Sequence, residues 1–190
     1  MVDAIDIALR VARALDRIGV AYFLGGSLAS SLQGEPRATN DIDVVIELSE
    51  EQVGAFARAL GPDFEVDEEA LRRAARARAS DNVFFLPWAT KIDLFIVGSA
   101  PFDRSELERR RWVEVRPGVG LYVKSAEDSV LRKLLWFQMG GEASSNQWRD
   151  VVELLRVGGG TLDASYLASW APRLGVDKLL GQAQDEALRR

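Results

Sequence analysis

The chain has 190 residues, a formal net charge of −5, 47% hydrophobic residues, and neither cysteine nor histidine. Without cysteine there are no disulfides, thiolate nucleophiles or zinc–thiolate sites. Without histidine there is no Ser–His–Asp triad, imidazole ligand or imidazole base. Chemistry is left to carboxylates, lysine, hydroxyls and a hard metal held by oxygen. Magnesium and manganese suit such an Asp/Glu-rich site. The acidic balance argues against nonspecific coating of nucleic acid. The length fits one domain, or one domain with a small appendage. No run of about 18 apolar residues is present, so no transmembrane helix is expected. The start, Met1-Val2-Asp3-Ala4-Ile5-Asp6, lacks the basic and apolar regions of a secretory signal, which predicts a cytoplasmic protein.

In chain order, apolar residues at Ile5, Ala8, Leu9, Ala12, Leu15 and Ile18 predict a helix over 3–18, with Gly19 as its C-terminal stop. Val20 to Leu24 reads as a buried strand, and Gly25-Gly26-Ser27 opens a short helix stopped by Gly34 and Pro36. Asp41 to Glu47 is the second strand. Ser49 with Gln52 starts a helix that ends at Gly61-Pro62. A short strand over 64–66, a helix over 68–79 and strands over 82–88 and 90–97 follow. Next come a helix over 102–110 and a hairpin of 112–115 with 121–123 around Arg116-Pro117-Gly118. From Ser125 the pattern is helical: 126–139, 146–155, 164–174 and 176–187. The expected fold is α/β (α+β), a mixed sheet flanked by helices over 1–124, with a helical C-terminal subdomain over 125–190. Trp136, Trp148 and Trp170 fall at apolar positions of these helices and read first as core and second as base-stacking platforms.

Asp41 and Asp43 are one residue apart on an otherwise apolar strand, so both point the same way, about 6–7 Å apart at Cα. Two acids on one face repel each other, and a sequence tends to break its own pattern where a site needs it. A divalent cation inverts that local electrostatics. The Gly25-Gly26-Ser27 turn lies between a strand and a helix. Glycine there permits close approach and positive φ, and the helix N-terminus suits a phosphate. Asp93 is a lone acid in a later apolar run. Three carboxylates on adjacent strands can hold two metal ions about 3.5–4 Å apart.

The order of glycine-serine turn, short helix, Asp-x-Asp strand and distal acid resembles the nucleotidyltransferase superfamily. Within it the chain looks like the AbiEii-like group, which includes toxins of type IV toxin–antitoxin systems. Three stretches carry that resemblance: Arg37-Ala38-Thr39-Asn40-Asp41-Ile42-Asp43, Glu127-Asp128 followed by Lys133, and Arg149-Asp150-Val151-Val152-Glu153. Glu153 departs from the group, which often has Asp there. The resemblance implies that Gly25, Gly26 and Ser27, with Arg37 and Thr39, bind the nucleotide. It implies that Asp41, Asp43 and Asp93 ligate Mg2+ (or Mn2+), that Lys133 reaches the phosphates and that Asp150 supports the site.

The expected activity is transfer of a nucleoside monophosphate from a nucleoside triphosphate to a hydroxyl, with release of pyrophosphate. The acceptor is open: transfer RNA, a protein side chain, or a small molecule of the aminoglycoside type. An antitoxin partner accompanies the toxin reading. The competing reading is a catalytically silent nucleotide-binding module that acts through a partner. Plainer readings also stand. Gly25-Gly26-Ser27 is then only a turn, Arg37 pairs with Asp41 or Asp43, Lys133 is a solvated helix residue, and Arg149 with Asp150 balances surface charge. The basic runs Arg72 to Arg78 and Arg109-Arg110-Arg111 read first as solvated faces and second as an RNA-binding surface.

Overall fold

The computed structural model describes residues 3–33 and 42–189. Helix α1 (Ala4–Arg17) begins at a capping box. The Asp3 carboxylate accepts from the Asp6 N–H at 2.9 Å, and the Asp6 carboxylate accepts from the Asp3 N–H at 3.1 Å. It ends in a Schellman turn: Gly19 N–H donates to Asp16 C=O at 3.1 Å and Val20 N–H to Leu15 C=O at 3.0 Å, with Gly19 at φ +68°. That turn consumes Val20, so strand β1 is Tyr22–Leu24 and starts two residues later than the apolar run implies.

The chain continues through α2 (Gly26–Gln33), β2 (Ile42–Ile46), α3 (Val53–Leu60), β3 (Phe64–Glu65), α4 (Glu68–Ala77), β4 (Ser80–Phe85), β5 (Thr90–Ile96), α5 (Pro101–Glu108), β6 (Arg111–Arg116) and β7 (Val119–Val123). The helix expected from Ser49 begins as a tight 3-10 turn over Glu50–Gln52, and the strand expected to reach Trp88 stops at Phe85, where Leu86–Trp88 form another. Proline at position 87 cannot donate to a ladder, which accounts for that early stop.

The strands form one mixed sheet in the order β3-β4-β5-β2-β1-β7-β6. The pairs β2·β5 and β1·β7 are parallel, and the others antiparallel. One face carries Ile42, Val44, Ile46, Val83, Phe85, Ile92 and Leu94, all buried. Helix α1 packs against β1, β7 and α3. On the other face Phe23 packs with Val97 and with Leu107 of α5. The expected α/β class with a mixed, helix-flanked sheet is the observed one. At one edge β3 is two residues long. At the other, β6 carries Arg111, Glu114 and Arg116, and the Trp112 ring lies over Gly120, where an added Cβ would sit 2.5 Å from ring carbons.

The described residues fall into two compact units, 3–29 with 42–124 and 30–33 with 125–189. The second contains α6 (Ala126–Met139), α7 (Ser145–Gly158), α8 (Ala164–Leu174) and α9 (Asp177–Leu188). Its organising group is Asp128, fully buried. Its carboxylate accepts from Ser125 Oγ and Tyr166 OH, each at 2.6 Å. Glu127, also buried, accepts from the Asp163 N–H at 2.9 Å. The tryptophans depart from the expected core. Trp136 is exposed. Trp148 and Trp170 are half-buried, Trp148 against Phe137 and donating to Glu186 at 2.8 Å, Trp170 against Tyr166. Among the described residues, no helix is long and apolar enough to cross a membrane.

Tyr22 is buried beside Tyr122 and hydrogen-bonds the Asp16 carboxylate. Burial, with the Asp16 charge, pushes its phenol up to about 12. The unfolded chain loses that proton near 10 and the folded chain keeps it, so stability falls as pH rises from about 10 to about 12. Tyr22→Phe should flatten that part of the stability–pH curve, by on the order of 2 kcal/mol, in urea titrations between pH 9 and 12.

Candidate active site

The backbone brings the glycine turn and the acids together through sheet register. Leu24 pairs with Val44 across the antiparallel β1·β2 ladder, and the next residue, Gly25, donates its N–H to Asp43 C=O at 2.8 Å. The parallel β2·β5 ladder pairs Asp43 with Asp93, and the β4·β5 ladder pairs Asp93 with Asn82. Asp43, Asp93 and Asn82 thus form one row across three strands, with Gly25, the residue after β1, at its end. Because side chains in a row share a face, both carboxylates project to the same side of the sheet.

The two glycines are not equivalent. A Cβ added at Gly25 would meet nothing closer than 3.9 Å. Gly26, the first residue of α2, has φ +60°, and a Cβ added there would overlap Asp43 Oδ2 and lie 2.6 Å from its Cγ. The helix start is therefore pressed against the Asp43 carboxylate, and only glycine permits it. Ser27 is the second residue of the same helix and half-buried. The first N–H groups of any helix lack intrahelical acceptors and favour anionic oxygen, and here the Asp43 carboxylate stands against Gly26.

Asp93 is 27% exposed at the side chain and receives Lys91 Nζ at 2.9 Å. That lysine stands two residues away on the same face of β5. Asp43 is half-buried. Asp41, Arg37 and Thr39 lie outside the described residues. Among the described residues no group of three acidic, histidine or cysteine side chains gathers in one place. Asp43 and Asp93 are hard oxygen donors of the type that magnesium or manganese takes, and they stand in register on neighbouring strands.

In the helical unit Lys133 Nζ lies 2.9 Å from Asp150 Oδ2, and both side chains are buried. Lys133 is therefore not a solvated helix residue, and Asp150 does not balance surface charge with Arg149. Glu153, where the chain departs from the resemblance, is paired with Arg156. The arginines of α4 are also committed: Arg72 to Glu68 at 2.5 Å, Arg73 to Glu69 at 3.2 Å and Arg76 to Glu50 at 2.5 Å. Asn82, Lys91 and the buried Glu106–Lys124 pair at 3.0 Å are not among the expected site residues. The alternation of 80–85 was the signal for Asn82. Nothing local pointed to Glu106, which meets Lys124 only through the fold.

Two solved structures share this architecture. The antibiotic-resistance factor ANT(2'')-Ia superposes with a TM-score of 0.53 at 14% identity, covering 95% of this chain and 98% of its own. An antigenic nucleotidyltransferase-like protein from Paracoccidioides brasiliensis superposes with a TM-score of 0.55 at 18% identity, covering 94% and 92%. The chain has a nucleotidyltransferase-like fold. No family profile and no curated protein matches the sequence, so at these identities the likeness is one of fold. Within that nucleotidyltransferase-like fold, the row from Gly25 to Asn82 is the candidate active site.

Gly26→Ala should destabilise the chain by more than about 2 kcal/mol, since it combines a left-handed backbone with a steric overlap. Gly25→Ala should cost well under that, and paired thermal melts compare the two. Lys133→Met removes the ammonium that pairs with the buried Asp150, and should cost about 3–5 kcal/mol in urea unfolding. A loss under about 1 kcal/mol would show that the pair is not a packing element.

Proposed function

We propose that this chain transfers a nucleoside monophosphate group from a nucleoside triphosphate to a hydroxyl acceptor, releasing pyrophosphate. The observation that carries the reading is the in-register Asp43–Asp93 pair beside the glycine-only start of α2. The Asp43 carboxylate is favourable at the helix start in itself, and a cation would let a phosphate share that start with it.

In the proposed step the acceptor oxygen bonds to the α-phosphorus while the bond from that phosphorus to the αβ-bridging oxygen breaks. Gly26 and Ser27 hold the phosphates through the N–H groups and hydroxyl of the helix start. Arg37 and Thr39 complete the nucleotide contacts in this reading. Asp93 orients the acceptor hydroxyl and takes its proton. Lys91 offsets repulsion between the carboxylates through its ion pair to Asp93. The resemblance alone assigns Lys133 to the phosphates and Asp150 to its support, and both stand in the helical unit. Mg2+ or Mn2+ held by Asp41, Asp43 and Asp93 supplies charge neutralisation at the phosphates and lowers the pKa of the acceptor hydroxyl.

The finer placement in the AbiEii-like group, a toxin role and an antitoxin partner rest on the Arg37-to-Asp43, Glu127-Asp128 and Arg149-Asp150 segments and belong to the same proposal. Incubation with each labelled triphosphate, magnesium and candidate acceptors should release pyrophosphate. Asp43→Ala and Asp93→Ala should each lower that release by at least about 10³-fold, and chelation should abolish it. Undiminished turnover by Asp43→Ala rules the reading out.

A further inference from the structure

The strands that bring Asp43 beside Asp93 open a second cavity at their other end. Ile46 pairs with Ile96, and just beyond that row the Val97 N–H donates to Ile46 C=O at 2.9 Å. A cavity of about 300 Å³ lies there, walled by the 3-10 turn that follows β2, the end of α4 and Arg104 of α5. It stands three residues along β2 and β5 from the acids, about 10 Å away. Leu48, Ile96 and Val97 line it and are themselves buried, so its floor is apolar. The volume is at the lower end for ligand pockets and suits a small molecule.

The charges around it come in both signs: Glu47, Glu50 and Glu51 against Arg76, Arg78 and Arg104. Four of the six neutralise one another. Arg76 engages both oxygens of Glu50, and Arg104 pairs with Glu47. Arg78 and Glu51 are left over. Arg78 gives one terminal nitrogen to Val97 C=O at 3.1 Å, and no carboxylate pairs with it among the described residues. The Glu51 carboxylate accepts from the Ser49 hydroxyl, and no cation pairs with it among the described residues.

Arg78 also stands where a long side chain is disfavoured. It follows the last residue of α4 with φ +51° and ψ +44°, the left-handed conformation that ends many helices. Glycine or asparagine ordinarily takes that position, because a larger side chain carries a steric cost there. The turn itself uses only backbone, so the arginine points to a task for its guanidinium.

We propose that this cavity binds a small aliphatic amino acid. Its carboxylate lies in the fork of Arg78, on the edge that the Val97 bond leaves open. Its ammonium lies on Glu51, and its hydrocarbon body on Leu48, Ile96 and Val97. A zwitterion is the complement of walls that leave one charge of each sign, whereas a simple anion or cation answers only one of them. A polyphosphate would face three glutamates. Binding there needs no nucleotide and is independent of nucleotidyl transfer.

Leucine and 6-aminohexanoate hold the two charges at short and long separation. In ligand-observed saturation-transfer NMR on the full chain, at least one of them should bind at about 10 mM or below. Its analogues lacking one charge are N-acetylleucine and leucinamide, or hexanoate and hexylamine. Each should bind at least about 5-fold more weakly. Amide shifts should centre on Leu48, Ile96 and Val97. Arg78→Gly suits the left-handed backbone and Glu51→Gln alters an exposed group, so both variants should fold, which thermal melts check. Each should weaken the zwitterion about 5- to 10-fold. Four results overturn the site: no transfer from either zwitterion, undiminished binding by both variants, a singly charged analogue or inorganic phosphate binding as tightly, or shifts centred on Gly26 and Asp93.

Discussion

The parallel pairing of β2 with β5 is the constraint from which the rest of the site follows. Five rows run from Ile42 against Ile92 to Ile46 against Ile96. Ile42, Val44, Ile46, Ile92, Leu94 and Ile96 all bury on one face. With a side-chain period of two, that aliphatic set fixes the register, and the register puts Asp43 beside Asp93. The two acids do not choose each other. Like charges facing across strands cost up to about 1 kcal/mol, while each buried aliphatic side chain contributes about 1.5–3 kcal/mol. The core therefore imposes a juxtaposition that the charges alone oppose, and a one-residue slip would turn the acids inward and the isoleucines out.

A second constraint comes from the antiparallel side. β1 stops at Leu24 because the Gly25 N–H closes on Asp43 C=O and the chain then turns into α2 at Gly26. The positive φ of Gly26 lays the helix start on the Asp43 side chain. Strand register thus positions the acids, and a single backbone dihedral positions the helix against one of them. In the helical unit polarity is buried for a different purpose. Asp128 takes Ser125 and Tyr166, and Lys133 takes Asp150, in a low-dielectric interior where an unmatched member would be costly.

Much of this was legible from residues alone. Helices α6 and α8 have the predicted bounds because their ends are written chemically, with Ser125 and Asp163 as N-caps and Gly140 and Gly175 as stops. Asp93 stood out as an acid among aliphatics. Other features depended on tertiary structure. Gly25 and Gly26 look identical in sequence, and only the proximity of Asp43 separates them. The adjacency of Asp43 and Asp93 required strand order, which a parallel pair separated by about fifty residues does not advertise. Lys133 was misjudged in its solvated alternative because a lysine on a helix is usually exposed, and its partner lies on a different helix. The tryptophans were placed in the core by hydrophobicity, whereas Trp136 sits on the surface and Trp148 keeps its N–H on Glu186.

The two ends of the sheet carry a consequence for how this chain meets other chains. Strand β3 is too short to template an added strand, and β6 guards its outer side with Arg111, Glu114 and Arg116, one of which is tied back to Asp3. The ring of Trp112 folded over Gly120 stiffens the hairpin that forms this border. Edges of this kind resist β-augmentation and fibril-type stacking. Any macromolecular partner of this sheet is therefore restricted to side-chain surfaces, and recognition by main-chain strand addition, the least discriminating route to a complex, is closed to it.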